Sequence, residues 1–269
     1  MTEWIEQHIA AVEAHYELLI TGSDSRLEGG GKLWGQFTNA VKSYRERDKA
    51  EFSAVIERVN ELAVARILLG DPTLTGRKIL YEPQIAADDH RKIDFVVPDV
   101  EDGSLYIEVK TVRPIAKDPE QKWKQYEKCK QNHTENVSYI VGKERLGAQI
   151  YGNSFSARTK FMDYTRKFEP RLAEAVKVQP GRSVLVFCGT GWEWHRSELE
   201  DFADFYLTGR YRQDDPFATM EAHEAFTKGS IAVQRNIVAF GFVKRPIDSI
   251  TEEEWIADVR GPHASPSSP

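Results

Sequence analysis

Two carboxylates and a lysine stand out by type and spacing within residues 92–113, K-I-D-F-V-V-P-D-V-E-D-G-S-L-Y-I-E-V-K-T-V-R. Asp94 is the only polar residue in the otherwise apolar run 93–97. Glu108 and Lys110 fall two apart in 105–111, where Leu105, Ile107, Val109 and Thr111 share one side. Tyr106, Glu108 and Lys110 share the other, because strand side chains alternate with period two. A carboxylate buried in such a strand is costly unless something pairs with it. A second carboxylate on the adjoining strand adds repulsion, and a cation resolves both problems. A hard divalent ion held by carboxylate oxygens is the natural choice, with Mg²⁺ the usual occupant of sites that offer few protein ligands.

Three elements must position these groups. The pattern predicts strands at 93–97 and 105–111, joined by a turn over 98–104 that contains the hairpin-closing pair Asp102-Gly103. Upstream, residues 50–69 predict a helix with Val55, Val59, Leu62, Ala63 and Ile67 on a wide apolar face. Gly70-Asp71-Pro72 ends it.

Asp94 followed by Glu108-Val109-Lys110 on the next strand resembles the PD-(D/E)XK nuclease superfamily, the restriction-endonuclease-like fold. Ile93 stands where the family usually has Pro. The resemblance covers residues 50–131 and implies metal-dependent phosphodiester hydrolysis of nucleic acid, DNA more than RNA. It implies Mg²⁺, with Mn²⁺ as a substitute, held by Asp94 and Glu108 with the Val109 carbonyl as third ligand. Lys110 would orient or help deprotonate the attacking water and offset developing charge. A helix before the sheet commonly adds a Glu; Glu61 takes that role, with Glu57 one turn earlier as the alternative or, more simply, a solvated flank. Homodimers are common among nucleases that cut both strands. Gln121, Gln125 and Tyr126 lack the Gln-x-x-x-Tyr spacing found in some members, so no role is transferred to them.

Residues 114–133 predict a loop and then a helix, with Asp118 as N-cap and Pro119 at the first helical position. This is the most basic stretch of the chain. Arg113, Lys117, Lys122 and Lys124 could neutralise phosphates, and Trp123 and Tyr126 are interleaved for stacking. The structural alternative is a solvated helix face with Trp123 in the core.

Length and composition set the bounds. The 269 residues suffice for one good-sized core, and a net charge of −6 excludes a basic nucleic-acid coat while leaving room for one charged cleft. Cys129 and Cys188 have no metal-ligand company, which predicts free thiols in a reducing compartment. No run reaches membrane-spanning length, and the acidic N-terminus lacks a signal-peptide core, so a cytoplasmic protein is expected.

In chain order, a helix is predicted over 3–20, a loop over 21–32 and a helix over 34–47. The Gly29-Gly30-Gly31-Lys32 run lacks phosphate-loop spacing and reads as a flexible connector. A strand at 78–85 ends near Pro83, where Glu82 and Gln84 line the cleft or simply lie exposed. A strand at 137–141 precedes a loop over 142–156 and a helix over 157–178 that Pro170 kinks or splits. The apolar run 183–187 reads as a strand buried on both faces. Which of these two strands neighbours 105–111 stays open. A helix at 198–207, a strand at 236–243 and a short helix from Thr251 holding Trp255 complete the chain.

The predicted fold is α/β, a mixed central sheet flanked by helices, with a restriction-endonuclease-like core and a C-terminal α/β elaboration. Residues 1–48 form a helical extension, 49–260 the nuclease-like domain and 261–269 a disordered tail. Two other functions compete: an idle nucleic-acid-binding or scaffold protein on the same fold, and a metal-dependent hydrolase of small phosphates.

Overall fold

The computed structural model describes residues 2–22, 26–46, 52–84, 92–100, 103–112, 144–146, 149–151, 157–190, 199, 202, 203, 206, 237–245 and 254–255. The expected basic segment, with Arg113, Lys117, Lys122 and Lys124, lies outside these residues, as do the expected strand at 137–141 and the tail.

The elements in chain order are α1 (Thr2–Thr21), β1 (Leu27–Glu28), α2 (Gly30–Glu46), α3 (Phe52–Gly70) and a 3₁₀ turn (Pro72–Leu74). Next come β2 (Ile79–Tyr81), β3 (Phe95–Val100), β4 (Gly103–Val112), β5 (Glu144–Leu146) and β6 (Gln149–Tyr151). The chain continues with α4 (Ala157–Val178), β7 (Gly181–Thr190), β8 (Ile237–Arg245) and β9 (Glu254–Trp255). Seven strands form one sheet in the order β1-β2-β3-β4-β7-β8-β9. It is mixed: β2, β3 and β4 run antiparallel to their neighbours in turn, whereas β4, β7 and β8 are mutually parallel.

Period-two alternation divides the core between the two faces. Val97, Ile107, Val109, Val186 and Cys188 pack with residues of α1, α2 and α3, among them Ile9, Phe37, Val59 and Leu62. Val96, Tyr106, Leu185, Phe187 and Phe240 turn the other way, onto Phe161 and Leu172 of α4 and the helical residues Leu199, Phe202, Ala203 and Tyr206. The run 183–187 is thus buried on both faces, as its unbroken apolar sequence predicts, and β7 is the strand beside β4. Among the described residues no helix is long and apolar enough to cross a membrane.

Several local expectations give way to tertiary context. The first core strand starts at Phe95 instead of Ile93 and runs through Pro98 to Val100. A bulge between Val97 and Val100 accommodates the missing N–H of Pro98. The hairpin is therefore tighter than predicted. Val100 pairs with Gly103, whose φ of +111° and approach to the Pro180 carbonyl, 2.2 Å from where a Cβ would sit, both demand glycine.

The strand predicted at 78–85 is shorter, Ile79–Tyr81, and Glu82 after it adopts a left-handed φ of +42°. The Gly29–Lys32 run is no connector: α2 starts at Gly30, where a Cβ would lie 2.1 Å from the Ile20 carbonyl oxygen. A two-stranded hairpin, β5-β6, occupies part of the expected loop at 142–156. Pro170 does not split α4; it lies on the exposed side, where water can solvate the carbonyl it leaves unbonded. In place of a terminal helix at Trp255, β9 pairs antiparallel with β8, because an open strand edge outweighs weak local helix propensity.

Candidate active site

β4 holds the site because its two faces meet different helices. On one face Asn60 of α3 donates to Thr111 Oγ1 at 2.8 Å. On the other, Arg171 Nη1 of α4 lies 3.1 Å from Glu108 Oε1, and Lys110 Nζ sits 4.3 Å above the centre of the Phe168 ring. Glu108 is 0 % exposed, and Lys110 Nζ reaches the same Oε1 at 2.8 Å. Its other oxygen, Oε2, is buried with no hydrogen-bond partner among the described residues.

Asp94 enters from the end of the sheet. The β3-β4 register pairs Phe95 with Ile107, so β3 stops short of Val109. Asp94 Oδ2 fills the place of the missing strand and accepts the Val109 N–H at 2.7 Å. The same oxygen is 3.5 Å from Lys110 Nζ, so one ammonium stands between the carboxylates of residues 94 and 108. The two carboxylates therefore converge. In a strand the N–H and C=O of one residue point to the same side, which directs the Val109 carbonyl to the Asp94 edge as well.

Glu61 approaches from the α3 face. Arg58 Nη1, one turn earlier, donates to its two oxygens at 2.8 and 2.7 Å, and the Tyr81 hydroxyl lies 2.7 Å from Oε2. Gln36 of α2 completes the cluster, its Oε1 2.6 Å from the Tyr81 hydroxyl and 2.9 Å from Arg58 Nη1. Glu57 is half-exposed. Glu82, half-buried at the rim, pairs with Lys32 at 2.5 Å and Lys92 at 3.6 Å. Burial opposes its ionisation, yet these lysines and Gln36 hold its carboxyl below the usual range.

Burial, and after it the charge of Asp94, pushes Glu61 and Glu108 each up to about 7. The two glutamates sit on opposite sides of the sheet, and Asp94 at its end acts on both. Burial alone would lower Lys110, but Asp94, Glu108 and Glu61 outweigh it and raise the pKa above the ordinary lysine value. Lys110 is thus placed to neutralise charge between the two carboxylates.

A divalent cation fits this set of donors. Glu108 Oε2 is buried without a hydrogen-bond partner among the described residues, and burial with the nearby Asp94 charge makes Glu108 reluctant to ionise. Among the described residues no group of three His, Cys, Asp or Glu side chains is arranged to hold a metal. The direct protein ligands would be Asp94, Glu108 and the Val109 carbonyl, with water completing the shell. That composition favours Mg²⁺ or Mn²⁺ over zinc. Glu61, held by Arg58 and Tyr81, would act through water.

Arg58, Tyr81, Gln36, Phe168 and Arg171 belong to the site although no motif marks them. Arg58 alone had a local signal, its i,i+3 spacing to Glu61. No protein-family model, curated protein or solved structure matches the chain.

Proposed function

We propose that the chain is a metal-dependent nuclease of the PD-(D/E)XK kind that hydrolyses phosphodiester bonds in nucleic acid, DNA in preference to RNA, in the cytoplasm. The single observation that carries this reading is the placement of Lys110 Nζ, 2.8 Å from Glu108 and 3.5 Å from Asp94. Two carboxylates and a lysine thereby share one point at the end of a sheet. On this reading α3, β2, β3, β4, α4 and β7 form the restriction-endonuclease-like core. The helices α1 and α2 are its N-terminal extension, and β8 and β9 belong to the C-terminal elaboration.

When bound, Mg²⁺ supplies an acidified water and stabilises charge on the scissile phosphate. Asp94 and Glu108 would hold the ion, and Asp94 keeps its carboxylate aimed through the Val109 N–H. Lys110, fixed over Phe168, offsets the negative charge that develops at phosphorus. Glu61, clamped by Arg58 and Tyr81, would orient a water. Arg113, Lys117, Lys122 and Lys124 follow the end of β4 in sequence and would neutralise the flanking phosphates. Incubating the protein with labelled DNA and RNA, with and without Mg²⁺ or Mn²⁺, tests this. Metal-dependent cleavage that Asp94→Asn and Glu108→Ala abolish is the expected result. Equal cleavage by Asp94→Asn and the wild type would reject it.

One observation favours a second reading. Glu108 already has two cations, Lys110 and Arg171, on Oε1. An idle nucleic-acid-binding scaffold could use them in place of a metal. Calorimetric titration with Mn²⁺ separates the two, since the scaffold would bind none.

A further inference from the structure

Arg171 is a cationic side chain that α4 sends to Glu108, and the motif on β3 and β4 does not account for it. Its bonding is lopsided. Nη1 shares Glu108 Oε1 with Lys110, while its own Nε is buried with no hydrogen-bond partner among the described residues. On the carboxylate side the same imbalance recurs, with two cations on Oε1 and none on Oε2. A guanidinium presents a planar fork of N–H donors that matches two oxygens of one anion, and here its Nε donor is idle.

The charges around the site balance without metal. Asp94, Glu108 and Glu61 face Lys110, Arg171 and Arg58. A divalent ion on the vacant Oε2 of Glu108 would neutralise the carboxylate that Arg171 holds through Oε1. It would weaken the pair and leave the site with an excess of positive charge. The side chain is 24 % exposed, so it is not sealed from solvent as Glu108 is.

We propose that Arg171 exchanges counter-ions: it pairs with Glu108 in the metal-free protein and, once a divalent ion holds Glu108, turns its fork to the non-bridging oxygens of the scissile phosphate. This rests on the nuclease reading above. Arg171 and the metal compete for Glu108, and Arg171 and the substrate cooperate once the metal is bound. Phosphate binding is thereby made conditional on metal, which keeps the idle site closed to stray anions.

Two measurements on the full chain test the exchange: Mn²⁺ titration by calorimetry, and Mg²⁺-dependent cleavage of labelled DNA. Arg171→Gln should bind Mn²⁺ several-fold more tightly while kcat/KM falls by about 100-fold, the usual cost of losing one donor to a developing oxyanion. Arg171→Lys should recover only part of kcat/KM, because an ammonium cannot supply the fork. Arg171→Gln that cuts at the wild-type rate, beside an inactive Glu108→Ala, overturns the exchange and leaves the nuclease reading intact. A lowered unfolding midpoint with unchanged kcat/KM also overturns it, since Arg171 would then be structural. Should the wild type cut no nucleic acid, the nuclease reading fails, and Mn²⁺ affinity then decides. Tighter binding by Arg171→Gln supports the competition with metal, and unchanged binding rejects it.

Discussion

Asp94 Oδ2 accepts the Val109 N–H at 2.7 Å, so the carboxylate proposed to bind metal also completes a β-ladder that β3 leaves unfinished. Position and charge at this residue are separable. Asn keeps an acceptor oxygen in place and removes the charge; Ala removes both.

Asp94→Ala should lower stability by about 1–3 kcal/mol, because the Val109 N–H is left inside the sheet without a partner. Asp94→Asn should cost clearly less and yet abolish metal-dependent activity. Urea unfolding of both variants, beside cleavage assays, checks this. Equal stability losses would mean that the hydrogen bond contributes little.

The metal-free protein should lose stability as pH rises from about 4.5 to 7. Glu61 and Glu108 titrate near 7 when folded, above their ordinary value of 4.5. In that window the folded chain binds more protons than the unfolded one, so the free energy of unfolding falls with pH. Their contribution is fully present below the unfolded value and lost through the folded one. The depressed carboxyl of Glu82 acts the opposite way, at more acidic pH. Urea midpoints in EDTA should therefore drop across this range. Saturating Mn²⁺ should reduce the drop, and Glu61→Gln combined with Glu108→Gln should remove it. A midpoint that climbs with pH in EDTA would contradict the assignment.

Tyr81→Phe removes a hydrogen bond that favours ionised Glu61. The acidic limb of the cleavage pH profile should move to higher pH, with a stability loss of about 1 kcal/mol. A profile that superimposes on the wild type would place Glu61 outside the reaction.

Gly103→Ala should cost about 1–3 kcal/mol through backbone strain, with a clash against the Pro180 carbonyl added to it. Gly103 begins β4, at the end remote from Lys110, so metal affinity per folded molecule should not change. Thermal unfolding and Mn²⁺ calorimetry on the same sample distinguish the two effects. A protein of unchanged stability would show that the turn relaxes.

Much of the scaffold was legible because its signals are local. Alternation from Leu105 to Thr111 put Glu108 and Lys110 on one face of β4, and the apolar run 183–187 marked a strand covered on both sides. Helical spacing placed α4 at 157–178, as found. Signals failed where a distant segment decided the outcome. β9 exists because β8 offers it an edge, and α2 starts at Gly30 because Ile20 packs against that backbone.

The sequence by itself determined which residues of β4 share a side, since a strand's period follows from backbone geometry alone. It also determined that two carboxylates and a lysine lie near one hairpin. Only the tertiary structure decided what meets them: Arg171 from a helix 63 residues away, Gln36 through Tyr81 from α2, and Asp94 turned inward by the Val109 N–H. Those contacts depend on how layers stack across the sheet, and stacking follows from the summed burial of the whole chain. No short stretch of residues encodes it.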